Sequence, residues 1–107
     1  MAGIFGRVET TVALLEAHLY VLENQICKID VERLSSEVRL ARLLGGIRTS
    51  LSLAMRQYAE LAESGIESAD TLDALRTRIA RSIAEFQVRT GKVVNWEVVF
   101  LPRANRR

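Results

Sequence analysis

The chain has 107 residues, 49% of them hydrophobic, with one proline, one cysteine and one histidine, and fifteen basic against thirteen acidic side chains. That apolar fraction, with a net charge of only +2, excludes a disordered chain and leaves room for one folded domain. A lone Cys27 with only His18 for company provides neither an internal disulfide nor a zinc set, and no window is long and apolar enough for a membrane span, so the expectation is a soluble, unsecreted, cytoplasmic protein without metal or cofactor.

The distribution of charge says more than its sum. Residues 1–30 carry two basic and four acidic groups, 31–58 five and two, 59–73 none and five, and 74–107 eight and two. Alternating blocks therefore lie beneath a near-neutral total. The last third, with Arg76, Arg78, Arg81, Arg89, Lys92, Arg103, Arg106 and Arg107, is the part most drawn to phosphate or to an acidic partner. Arg33 to Arg56 forms a second basic set. Arginine, thirteen of the fifteen cations, suits bidentate contact with phosphate or carboxylate.

In chain order, Val8, Val12, Leu15, Leu19, Leu22, Ile26 and Ile29 alternate steps of four and three, the a/d pattern of a coiled-coil seam on a first helix. Glu9, Glu16, Glu23 and Asp30 recur every seven residues at one e position; such a row is either met by basic residues on a neighbouring helix or simply solvated. His18 falls beside the seam, where a solvated or ion-paired side chain is expected, and Cys27 falls off it. Arg33 breaks the register, and a second seam runs through Leu40, Leu44, Ile47, Leu51, Ala54, Tyr58 and Leu61. The turn between the helices lies either at Asp30–Ser36, where Asp30, Ser35 and Ser36 are candidate N-caps, or at Gly45-Gly46. The first is preferred, because the second seam keeps phase through the glycine pair and the arms then match in length. Two glycines inside a helix cost about 2 kcal/mol of propensity together, which suggests a close backbone approach or a bend.

The sequence Ser64-Gly65-Ile66-Glu67 ends the second helix. A third then starts with Asp70 as candidate cap, buries Leu72, Leu75, Ile79, Ile83 and Phe86, presents Arg76, Arg78, Arg81 and Arg89 outward, and stops at Thr90-Gly91. Beyond it the period changes to two. Val94, Trp96, Val98 and Phe100 would share one face of a strand from about Lys92 to Leu101, closed by Pro102. With no second strand candidate in the chain, that strand pairs with another subunit or protein, or else the segment folds back on the helices through Trp96 and Phe100.

No nucleophile with a base, no phosphate loop and no paired metal ligands occur. The run Leu72-Asp73-Ala74-Leu75-Arg76 through Ile79 resembles the first helix of all-helical chorismate mutases, but it opens a short third helix rather than a long first one. Long seam-bearing helices also do not suit a helix-turn-helix reader.

The fold class expected is thus mainly α: a long antiparallel helical hairpin over 1–64, a third amphipathic helix over 65–91, and a lone β-strand with a basic tail over 92–107. This arrangement resembles the core of small terminase subunits, the ring-forming components of tailed-phage packaging motors, without their N-terminal helix-turn-helix domain. The short form is similar to the small terminases of bacterial gene transfer agents. The resemblance implies a noncatalytic homo-oligomeric ring that binds double-stranded DNA weakly and nonspecifically and recruits a large terminase ATPase and nuclease. On that reading Val8, Val12, Leu15, Leu19, Leu22, Ile26, Leu40, Leu44, Ile47 and Leu51 assemble the ring; Arg76, Arg78, Arg81, Arg89 and Lys92, or the set from Arg33 to Arg56, touch phosphate; and Val94, Trp96, Val98, Phe100 and Arg103 bind the partner. A coiled-coil adaptor or scaffold with no nucleic-acid role is the alternative.

Overall fold

A computed structural model describes residues 10–91 of the chain, and 89% of these are helical. Helix α1 spans Val12–Cys27, α2 Ile29–Ser35, α3 Glu37–Ser64 and α4 Ala69–Thr90. No strand occurs among the described residues; the strand expected over 92–101, and Val8 at the head of the first seam, lie outside them.

Local chemistry sets each boundary. Thr11 caps α1, its hydroxyl accepting from the Leu14 amide at 3.1 Å. The first arm does not stop at Ile29, where the seam ends, but runs on to Ser35. Lys28 stays right-handed (φ −87°, ψ −7°) and donates back to the Gln25 carbonyl at 3.1 Å, a three-residue closure that tightens one turn between α1 and α2. Ser36 is where the backbone leaves the helix (φ −168°, ψ 135°), and its hydroxyl accepts from the Arg39 amide. Gly45 and Gly46 sit inside α3. At the other end of α3, Gly65 adopts φ 71°, the left-handed conformation in which a glycine closes a helix without a Cβ clash. Ser68, rather than Asp70, caps α4: its hydroxyl accepts from the Thr71 amide at 3.1 Å, while Asp70 lies in the first turn, beside the positive end of the dipole. Gly91 (φ 71°) terminates α4.

Cross-helix bonds define the packing. Thr10 pairs with Glu60, His18 with Gln57 and Gln25 with Ser50, so α3 runs antiparallel to α1. Glu23 pairs with Arg78 and Asp30 with Arg89, so α4 runs parallel to α1. A single core joins all the helices: Leu15, Leu19, Leu22 and Ile26 of α1, Ile29 of α2, Ile47, Leu51, Ala54, Met55 and Leu61 of α3, and Leu75, Ile79 and Phe86 of α4. Leu72 and Ile83, expected as core, are partly buried against it. The third helix is therefore not an appendage to the first two. Each fully buried aliphatic side chain contributes about 1.5–3 kcal/mol.

The two glycines of the pair differ in their surroundings. A Cβ on Gly46 would meet the Gln25 amide nitrogen at 3.4 Å, whereas one on Gly45 would meet nothing within 4 Å. At Gly46 an added methyl would touch the end of the flexible Gln25 side chain, and at Gly45 it would stand in open space. Gly45→Ala should stabilise the protein by up to about 1 kcal/mol, read as a higher urea midpoint with an unchanged slope, and Gly46→Ala should gain less.

Candidate nucleic-acid interface

Helix α3 carries Arg39, Arg42, Arg48 and Arg56 between Glu37 and Glu60, with no acidic residue among them. At about 100° per residue, Arg39, Arg42 and Arg56 fall on one face roughly 100° wide, together with Gly46, Thr49 and Leu53, and Arg48 flanks it beyond Arg56. All four arginines are exposed. None forms an ion pair with a described residue. They border two shallow concavities: Arg48 and Arg56 line one with Thr49, Ser52 and Leu53, while Arg39 and Arg42 line the other with Gln25, Lys28, Glu32, Leu43 and Gly46. The face is built by the core behind it, because Ile47, Leu51, Ala54 and Met55 turn inward and leave the intervening polar positions to solvent.

The arginines of the last third are placed differently. Arg78 reaches Glu23 of α1 with two hydrogen bonds, Nε to Oε2 at 2.7 Å and a terminal nitrogen to Oε1 at 2.9 Å. Arg89 donates to Asp30 at 2.8 Å and to Glu85 of its own helix at 2.9 Å. Glu23 and Asp30 of the acidic row are thus met by basic residues on a neighbouring helix, whereas Glu16 forms no ion pair with a described residue and Glu9 lies outside them; Arg78 and Arg89 face the first arm instead of forming an outward basic surface. Arg81 is exposed in the groove between α1 and α4, beside Glu23, Cys27 and Glu85. Arg76 is exposed, and Lys92, Val94, Trp96, Val98, Phe100 and Arg103 lie outside the described residues.

Arg33, whose charge interrupts the seam, donates to the backbone carbonyl of Arg89 and lies 3.7 Å from Asp30. A cation at that place satisfies one of the unpaired carbonyls in the last turn of α4. The seam residues assigned to assembly are enclosed by the chain itself: Leu15, Leu19, Leu22, Ile47 and Leu51 have no exposed surface, Ile26 almost none, and Val12, Leu40 and Leu44 pack against them. His18 is half-buried, and its Nδ1 lies 2.8 Å from Oε1 of the buried Gln57. Cys27 is free and exposed. No group of three metal-ligating side chains occurs among the described residues, and no described helix is long and apolar enough to cross a membrane. No protein family matches the chain, and it has no match among curated proteins or solved structures.

The Glu23 carboxyl is held below its ordinary value of 4.5, first by the hydrogen bonds from Arg78; partial burial opposes this and the Arg78 charge adds to it. Arg78 is raised in turn, chiefly by the same bonds. A carboxyl whose pKa is lower in the folded than in the unfolded chain stabilises the fold fully above the unfolded value. That stabilisation is lost as pH falls through the folded value. The pair is partly open to water, which limits it to about 1 kcal/mol. Glu23→Gln should therefore melt lower than the parent protein at pH 7, and the gap should close as the solution is acidified below pH 4.5.

Proposed function

We propose that the chain is a noncatalytic DNA-packaging subunit of the small-terminase type, in which the arginine face of α3 makes weak, sequence-independent contact with double-stranded DNA. The observation that carries this reading is Arg39, Arg42, Arg48 and Arg56, four exposed guanidinium groups in the acid-free interval of one helix, with no carboxylate partner among the described residues. Paired arginines are already neutralised by protein carboxylates, whereas these four are available to neutralise phosphates and so release the counterions condensed on DNA. From Arg39 to Arg56 the helix rises about 25 Å at 1.5 Å per residue, enough to follow several phosphates along one groove edge. Base readout is not part of this reading, since a rigid helix backed by its own core and bearing only arginines offers position but little sequence discrimination.

Ring assembly and recruitment of a large terminase through 92–107 complete the proposal. With both seams occupied inside one chain, self-association falls to surface outside them. A coiled-coil adaptor without nucleic-acid contact is the second reading, and the exposed Val31, Leu34 and Val38 favour it as a protein-docking surface.

Fluorescence anisotropy against a random-sequence duplex tests the DNA reading. Binding should be weak, indifferent to sequence and steeply dependent on salt. Changing the four α3 arginines to Gln should reduce the salt slope by up to about 0.9 for each phosphate contact removed, while Arg81→Gln should leave it unchanged. A sequence-specific footprint, or no retention at low salt, would overturn the reading, and the second of these results favours the adaptor. Light scattering at micromolar concentration tests the ring, where a stable monomer counts against it.

A further inference from the structure

Four of the large apolar side chains exposed on the described residues gather at one end of the bundle. Val31 and Leu34 of α2 are 63% and 89% exposed, Val38 in the first turn of α3 is 66% exposed, and Val88 near the end of α4 is 80% exposed. Val31 and Leu34 are three residues apart on one helix and so share a face, and Val38 follows just past the Ser36 break. The end of α4 is fastened to this turn, because Arg33 bonds the Arg89 carbonyl and Arg89 pairs with Asp30. Aliphatic side chains at such exposure, grouped rather than scattered, mark a surface that something covers.

The chain supplies a candidate at that place. Residues 92–107 continue from Gly91 beside this turn, and seven of the nine residues from Val93 to Leu101 are apolar. Those nine could span up to about 30 Å, far more than needed to pass from the end of α4 across α2. The other segment outside the description, residues 1–9, joins at Thr10, which bonds Glu60 at the opposite end of the bundle. We infer that the apolar segment Val93–Leu101 docks in cis on the Val31–Leu34–Val38 surface, with Trp96 against it. The contact is intramolecular and rests on a different surface from the DNA reading; it competes with recruitment of a partner through the same segment.

Trp96 is the only tryptophan, so its fluorescence in the full-length chain reports the contact directly. Excited selectively, it should emit to the blue of the urea-unfolded chain, with the same spectrum across a wide dilution series. Leu34→Asp and Val38→Asp should each remove most of that blue shift. Ile66→Asp, at an equally exposed position by the Gly65 turn, should not. Far-UV circular dichroism should be unchanged in all three, since none of these side chains belongs to the core that joins the helices; Leu34→Gln provides the same test with a milder change. Emission already matching the unfolded chain would overturn the proposal. So would a blue shift that disappears on dilution, which would make a second copy the occupant, or one that survives both the Leu34 and Val38 substitutions.

Discussion

Leu15, Leu19, Leu22 and Ile29 have no exposed surface, and Ile26 almost none. A stripe on one helix can be enclosed that completely only if two further helices straddle it, and the rest of the molecule follows from this requirement. Helix α3 closes one side and α4 the other. Their directions relative to α1 are opposite, and each is fixed by polar groups at the margin of the apolar contact. On the α3 side, His18–Gln57 and Gln25–Ser50 are one heptad apart on both helices. Sliding α3 by a heptad would break both bonds, and a Gln57 amide left unpaired at 5% exposure would cost about 1–3 kcal/mol. On the α4 side, the Glu23–Arg78 and Asp30–Arg89 pairs act at the same margin. Apolar burial supplies most of the stability, and the polar margin selects one register.

Much of this was legible in the sequence, for identifiable reasons. The seams from Val12 to Ile29 and from Leu40 to Leu61 are local repeats, and local repeats translate directly into a helix face. Gly65 and Gly91 were readable as helix ends because glycine adopts the left-handed conformation without strain. What the sequence left open depends on contacts between distant residues. Whether Glu23 and Asp30 face water or cations turns on residues more than fifty positions away. The same distance made Arg78 and Arg89 look like outward cations when they are internal partners. The choice of Ser68 over Asp70 as cap is a backbone matter of two residues, within the ordinary slack of cap signals. Lys28 leaves no sequence mark because its closure needs no special side chain.

The arginines thus divide by what surrounds them in space. Those of α4 that face α1 complete a charge pattern begun by the first arm, and those of α3 form no ion pair with a described carboxylate, although Glu60 follows Arg56 by four residues. The acid-free interval from Val38 to Ala59 is the sequence signal for this second group, and it outweighs the simple abundance of arginine in the last third. A count of cations alone does not separate the two groups: Arg78 and Arg89 are already paired with carboxylates, whereas Arg39, Arg42, Arg48 and Arg56 are not.

The helix directions have an electrical consequence. Because α4 runs with α1 and α3 against them, the turn at Gly65 lies beside the starts of both α1 and α4, and it carries the block of Glu60, Glu63, Glu67, Asp70 and Asp73. At the far end, Lys28, Arg33, Arg39, Arg42 and Arg89 surround the turn at Ser36, offset in part by Asp30, Glu32, Glu37 and Glu85. The described part of the chain is therefore electrically asymmetric, with its negative pole at the Gly65 end. In the field of any extended polyanion it experiences a torque as well as a weak attraction, so it meets that surface already oriented, with the acidic pole trailing.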